Sequence, residues 1–370
     1  MPNAWNQLWK NAVQSGHAVA VWRLPNQSMK QLIIDESGGL RLSSIDLTDL
    51  PEGFIVAPFE GDPYFLSAEK SYVESVVFQD LPRSNQVSVP AGADLGQQLY
   101  FTEQVQRSIE KIQAGEFQKV VLSRTAEQYF DASFDVLNAF DRLCMAYPTA
   151  FICAVYLPSL KNTWLCATPE TLVSQNRQGE FRTISLAGTQ TALHPDGSPM
   201  IVQEARWSQK EIEEQAYVSR YIIECFKKIR LREYLENGPK TVLAGNLMHL
   251  KTEYVVDTTQ VDYPGLISTM LTLLHPTSAV CGTPKEAAKA WIQSVEQHDR
   301  SLYSGYLGPV HVDGETHLFV NLRTVRLETY LDQVKATYFA GCGITEESNP
   351  EKEWLETEMK CQTLQRVLMA

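Results

Sequence analysis

Glu353-Trp-Leu-Glu356-Thr-Glu-Met-Lys360 sets ionisable side chains at i, i+3 and i+7. On a helix these share one face, so two carboxylates and an ammonium form a single stripe. Such a stripe can bind a divalent cation and anchor a carboxylate substrate. It can equally be a solvated helix face with a Glu356–Lys360 ion pair worth ~0.3–0.5 kcal/mol. A second acidic run, Glu211-Ile-Glu213-Glu214, has Lys210 four residues before Glu214 and by itself reads as another charged helix face. Together the two runs suit Mg²⁺, which takes hard oxygen ligands, few of them from protein, and leaves positions for water and substrate.

Two further residues are candidates for proton transfer. Lys119 opens an otherwise apolar strand, Val120-Val-Leu122. Desolvation there favours the neutral amine and makes a base of it, whereas a lysine at a strand edge simply reaches water. Glu170 follows Thr168-Pro169 at a strand exit, where a capping or surface role is ordinary. Gly341-Cys-Gly343 looks like the start of a dinucleotide fingerprint but lacks the third glycine and follows a late strand, so no nucleotide cofactor is expected. There is no phosphate-binding loop, no His-Glu-x-x-His and no Gly-x-Ser-x-Gly elbow.

The elements that must position these groups alternate along the chain. Short apolar runs at 18–24, 31–35 and 53–58 read as strands, broken by Gly, Pro and Ser. The composition around 83–96 suggests a linker or long loop. Helical spacing over 101–114 ends at Gly115, and a strand follows over 119–124. Strands are expected at 151–157, 162–167 and 183–186. A helix is expected over 208–228, with Ile212, Tyr217, Tyr221 and Ile222 as inner positions. Pro284 fits the first turn of a helix over 285–295. Alternating runs at 316–327 and 333–339, after the Asp313-Gly314 turn, read as a meander, and a helix over 350–368 closes the chain. The pattern is α+β with much antiparallel sheet rather than a parallel doubly wound array.

Composition narrows the function. The 370 residues carry 44 acidic and 32 basic side chains, a net charge of −12. No nucleic-acid partner is expected, because phosphate contacts need a concentrated cationic surface. A small anionic substrate is compatible, since it meets a local pocket rather than the summed charge. The 7 cysteines are scattered and never form Cys-x-x-Cys, which fits reduced thiols in the cytoplasm. No apolar run approaches the ~20 residues of a bilayer span, and the N-terminus lacks signal-peptide character, so a cytoplasmic protein without membrane association is expected.

In order along the chain stand Phe117-Gln-Lys-Val-Val-Leu-Ser-Arg124, Ala167-Thr-Pro-Glu170, Leu186-Ala-Gly-Thr189, His249-Leu-Lys-Thr252 and Leu274-His-Pro-Thr277. Gly282-Thr-Pro284, Asp299-Arg300 through Gly308-Pro309, Ala340-Gly-Cys-Gly-Ile344 and Glu353-Trp-Leu-Glu-Thr357 with Lys360 complete the series. This series resembles the chorismate-utilising enzymes, and within them the isochorismate synthases. The likeness covers residues 96–370 as a chorismate-binding catalytic region. Residues 1–95 match weakly, as an N-terminal part of the same domain. The resemblance implies a single large two-sheet β-sandwich core flanked by helices, with the site in a cleft and a Mg²⁺-dependent reaction on chorismate.

What the resemblance implies for individual residues is specific. Relatives that add ammonia at C2 commonly have glutamine where Lys119 stands, and those making aminodeoxychorismate use a lysine where this chain has Ala187. Lys119 with Ala187 is the water-adding pattern of isochorismate and salicylate synthases. Lys119 is then the base that activates water at C2, and Glu170 the acid that protonates the departing C4 hydroxyl. Glu214 and Glu356 are implied as Mg²⁺ ligands, with Glu211 and Glu353 as water-mediated supports. Arg323, Lys360 and the backbone of Gly341, Gly343 and Ile344 would grip the substrate carboxylates. Ala187, Gly188 and Thr189 would line the ring, with His249 near C4 and Thr277 also in contact. The chain departs from the family at Gln190-Thr191, where a basic residue is frequent, and at Glu213 and Gln215, where histidines often flank the first metal glutamate. A monomer without a glutamine amidotransferase subunit is expected, serving menaquinone or else siderophore synthesis. The alternatives are a salicylate synthase, which goes on to eliminate pyruvate, and a catalytically silent binding or assembly subunit.

Overall fold

The computed structural model describes residues 4–76, 95–194, 198–244, 247–261, 263 and 265–369. The linker or loop expected around 83–96 lies outside these residues except for Leu95 and Gly96, which open a helix. The helices are α1 (Ala4–Gln14), α2 (Leu95–Gln113), α3 (Val136–Ala146), α4 (Gln209–Lys228), α5 (Leu266–Leu274), α6 (Lys285–Val295) and α7 (Pro350–Leu368). The first nine strands are β1 (Ala18–Arg23), β2 (Met29–Asp35), β3 (Leu40–Arg41), β4 (Gly53–Ala57), β5 (Tyr64–Ser67), β6 (Lys70–Ser75), β7 (Lys119–Asp131), β8 (Phe151–Leu157) and β9 (Asn162–Thr168). The rest are β10 (Thr171–Gln175), β11 (Glu180–Thr191), β12 (Leu235–Ala244), β13 (Leu247–Asp257), β14 (Gly282–Thr283), β15 (Tyr306–Val310), β16 (Thr316–Val320), β17 (Thr324–Thr329) and β18 (Gln333–Ile344).

The strands form two nine-stranded sheets, ordered β14-β7-β18-β17-β9-β8-β1-β2-β6 and β12-β13-β11-β10-β16-β15-β4-β5-β3. Strands from the first 75 residues enter both. Between the sheets, Trp22, Phe151, Cys153 and Trp164 of the first meet Phe54, Val56, Leu307 and Phe319 of the second. The opposite faces are buried too. Trp5, Phe140, Leu143 and Leu364 of α1, α3 and α7 cover Val19, Val21 and Ile152. Val218, Ile222, Met270 and Leu274 of α4 and α5 cover Phe181, Val256 and Leu318. A strand buried on both faces needs no polar alternation, which is why Ala18–Arg23 is enclosed at every residue. The architecture is an α+β two-sheet sandwich with helices outside, as the motif order implies.

Helices α6 and α7 run over the expected residues. The cap of α7 explains its sharp start: Asn349 accepts from Lys352 N at 3.1 Å and Pro350 fills the first turn. The expected single strand over 316–327 is instead two strands in different sheets. β16 pairs with β10 and β15, and β17 with β9 and β18. The chain crosses over at Asn321-Leu322-Arg323, where Arg323 adopts φ 47°. Buried Asn321, donating to Leu302 O at 2.8 Å, holds the crossover. The Gly341-Cys-Gly343 segment lies inside β18, paired residue for residue with Ser123, Leu122 and Val121 of β7. It is a strand without side-chain bulk at two positions, not a turn entering a helix.

Candidate active site

At one edge of the sandwich, β18 of the first sheet faces β11 and β13 of the second across a cleft of about 660 Å³, some of it open to solvent. Each wall has a sequence reason. On β18, a Cβ at Gly343 would stand 2.1 Å from Glu214 Oε1 and 3.1 Å from Lys119 Cε, so only glycine lets α4 bring its carboxylate to this strand. On β11, the register shifts between Ala187 and Gln190, and Gly188 takes φ 69°. This bulge aims Gly188 O at His249 of β13, whose Nδ1 donates to it at 2.8 Å.

The ionisable groups divide by environment. Lys119 is fully buried at the start of β7, with Nζ 3.2 Å from Glu214 Oε1. Glu170, 4% exposed, lines the cleft, and burial pushes its carboxyl pKa up to about 8 against the pull of Lys119, Lys360 and Arg323. It therefore carries a proton at neutral pH. Burial drives His249 down to about 3, with Arg323 adding repulsion, so the ring is neutral. With Nδ1 donating, Nε2 presents a lone pair, buried and without a protein partner among the described residues. Arg323 also lines the cleft. Among the described residues no carboxylate or carbonyl accepts from its guanidinium at hydrogen-bonding distance, which leaves it free to grip an anion.

Helices α4 and α7 meet beside this cleft through ion pairs. Lys360 Nζ donates to Gly341 O and to Glu356 Oε1, each at 2.7 Å. Lys210 Nζ lies 2.9 Å from Glu353 Oε1, 3.1 Å from Glu353 Oε2 and 3.7 Å from Glu356 Oε2. Burial raises Glu353 to about 7 against the pull of Lys210. For Glu356, burial also pushes upward, but Lys360 and Lys210 outweigh it and hold the carboxyl below its usual range. Among the described residues no three His, Cys, Asp or Glu side chains form a ready cage for a metal. The donors are nevertheless carboxylate oxygens, the kind Mg²⁺ takes, and few in number, so that water and substrate would complete its shell. They fit that ion.

Of the residues singled out from sequence, Glu170, Ala187, Gly188, Thr189, Glu214, His249, Arg323, Gly341, Gly343 and Lys360 line one cleft. Lys119 stands behind Glu214 and beside Gly343. Glu353 and Glu356 lie in the adjoining ion-pair cluster. Glu211 is turned to the N-terminus of α4, accepting from Ser208 N at 2.6 Å in a capping box. Thr277 is buried close to the lining residues Ala279 and Val280, and its hydroxyl has no protein partner among the described residues. Ile344 packs its side chain with Val120 and Trp354, away from the cleft. The buried face of α4 is Glu214, Gln215, Val218, Ile222, Cys225 and Phe226, while Ile212, expected inside, is 49% exposed. Tyr303 and Phe339 line the cleft without having been singled out, and Lys210, noted only for standing four residues before Glu214, turns out to reach Glu353 of α7. Of the first two, only Tyr303 had a sequence signal, lying between Asp299-Arg300 and Gly308-Pro309.

A substitution tests the glycine wall. Gly343→Ala should displace the flexible end of Glu214 without disturbing the backbone. Turnover is expected to fall on the order of 10²-fold, with the melting temperature within about 2–4 °C of wild type. Full activity would mean that the position of this carboxylate is immaterial.

The family model described as "Chorismate binding enzyme" matches residues 68–369. Isochorismate synthase EntC of Escherichia coli K12 is 29% identical over 289 residues, covering 77% of this chain and 71% of that protein. The solved structure of MenF, the menaquinone-specific isochorismate synthase of E. coli, superposes with a TM-score of 0.76 at 19% identity, covering 99% of this chain and 91% of that one. DhbC of Bacillus anthracis gives 0.76 at 22% identity, covering 98% and 99%. The two structures establish the fold.

Proposed function

Because the chain belongs to the chorismate-binding enzymes, we propose that it is an isochorismate synthase, isomerising chorismate by adding water at C2 and expelling the C4 hydroxyl. One observation carries this reading. A buried, protonated glutamic acid lines the cleft, and a fully buried lysine stands directly behind its wall, 3.2 Å from the lining residue Glu214. Water is a poor nucleophile, so Lys119 is assigned as the base that takes its proton as the new C2–O bond forms. Hydroxide is a poor leaving group, so Glu170 gives its proton to the C4 oxygen as that bond breaks, and water departs. Each is a general acid–base task worth ~10²–10⁴-fold.

The remaining residues orient the substrate. Arg323 can take a carboxylate bidentately, with Lys360 and the β18 backbone beside it. His249 offers its Nε2 lone pair on the C4 side. Glu214 and Glu356 would hold Mg²⁺, with Glu353 behind them, whereas Glu211 is engaged in the cap of α4. The bound ion would supply positive charge for the ring carboxylate.

The test is product analysis. Chorismate with Mg²⁺ should give isochorismate without stoichiometric pyruvate, and a chelator should stop the reaction. Salicylate with equimolar pyruvate would replace this reading by a salicylate synthase. No conversion at all would leave only a binding role.

A further inference from the structure

The carboxylates suited to the metal already have a cation of the protein's own. Both oxygens of Glu353 lie within 3.1 Å of Lys210 Nζ, and Glu353 is 2% exposed. Glu356 faces one ammonium from each oxygen, Lys360 at 2.7 Å and Lys210 at 3.7 Å. Glu214 pairs with Lys119 at 3.2 Å. Three lysines thus balance three glutamates. An ammonium donates at nearly 3 Å, whereas Mg²⁺ demands oxygens at ~2.0–2.1 Å in near-ideal octahedral geometry. One carboxylate embraced on both oxygens by Lys210 is not free to enter that shell. Lys210 itself is held by its position: it stands one turn before Glu214 on α4 and reaches across to α7.

We propose that Lys210 is a built-in counter-cation of the metal-binding carboxylates, withholding Glu353 from the inner shell and competing with Mg²⁺ for Glu356. Metal then enters at Glu214 and Glu356 against a neighbouring positive charge, and its affinity is set lower than three carboxylates alone would give. This rests on the reading of the cluster as a Mg²⁺ site.

Calorimetric titration of Mg²⁺ into the full-length protein without substrate tests it. Lys210→Met should bind Mg²⁺ on the order of tenfold more tightly, since it removes a like charge next to the ion. Lys210→Arg, which keeps the charge, should show no such gain. Adding Glu353→Gln to Lys210→Met should cancel most of it. Glu353→Gln alone should stay within about threefold of wild type, which keeps the idea testable should Lys210→Met fold poorly. Equal or weaker binding by Lys210→Met, or loss of binding in Glu353→Gln, overturns the proposal. A Glu356→Gln variant separates the two levels. If it and wild type bind Mg²⁺ alike, the carboxylate site itself is refuted, and Lys210 with it.

Discussion

Replacing Glu170 by Gln should lower kcat by ~10²–10⁴-fold while leaving the protein folded. The amide has nearly the shape of the protonated acid and no proton to give. In the wild type, the rate should fall as pH rises through about 8, because burial places the carboxyl pKa there and only the protonated form is the acid. The same shift has a stability consequence. A carboxyl at 4.5 in the unfolded chain and about 8 when folded binds its proton more tightly in the native state. Its contribution is present below the unfolded value and is lost as pH rises across that window. Glu170→Gln should therefore melt like wild type in acid and outlast it at pH 8–9. Steady-state kinetics and thermal melts across pH check both, and near-normal turnover in the variant would reject the acid role.

Lys119→Gln should cost a comparable ~10²–10⁴-fold in isochorismate formation, through loss of the base. Chorismate binding should persist, since Arg323 and Lys360 are untouched, so the loss should fall on kcat rather than KM. The substitution leaves Glu214 without its 3.2 Å partner, and some loss of stability is expected from an uncompensated, largely buried carboxylate. Melting in the presence and absence of Mg²⁺ separates that effect from chemistry. Undiminished product formation would rule out Lys119 as the base.

How legible the site was depended on what each residue faces. Helix α7 was readable to the residue because its cap and Pro350 are local signals. The crossover at Asn321–Arg323 was not, because a buried Asn321 continues the in–out alternation through the point where the chain changes sheets. Helix α4 misled for a functional reason: its inward stripe starts with Glu214 and Gln215, polar residues where periodicity looks for apolar ones, so Ile212 was assigned inside. The pairing of Lys210 with Glu353 was not legible from spacing, since 143 residues separate them. The proposed pairing of Lys119 with Glu170 rests on the ordered motifs, and both residues are buried.

The cleft lies between the sheets rather than on either one. Gly341 and Gly343 belong to one sheet, Ala187–Thr189 and His249 to the other, and Arg323 and Glu170 to two of the short strand-to-strand passages between them. A substrate held by the residues proposed above would be gripped from both sides, an adhesive between two laminae as well as a reactant. Each tenfold rise of its concentration above the dissociation constant adds about 1.4 kcal/mol to the cohesion of the whole sandwich. Catalytic occupancy and mechanical integrity of this enzyme are in that sense one quantity, and scarcity of substrate loosens the same seam that its abundance closes.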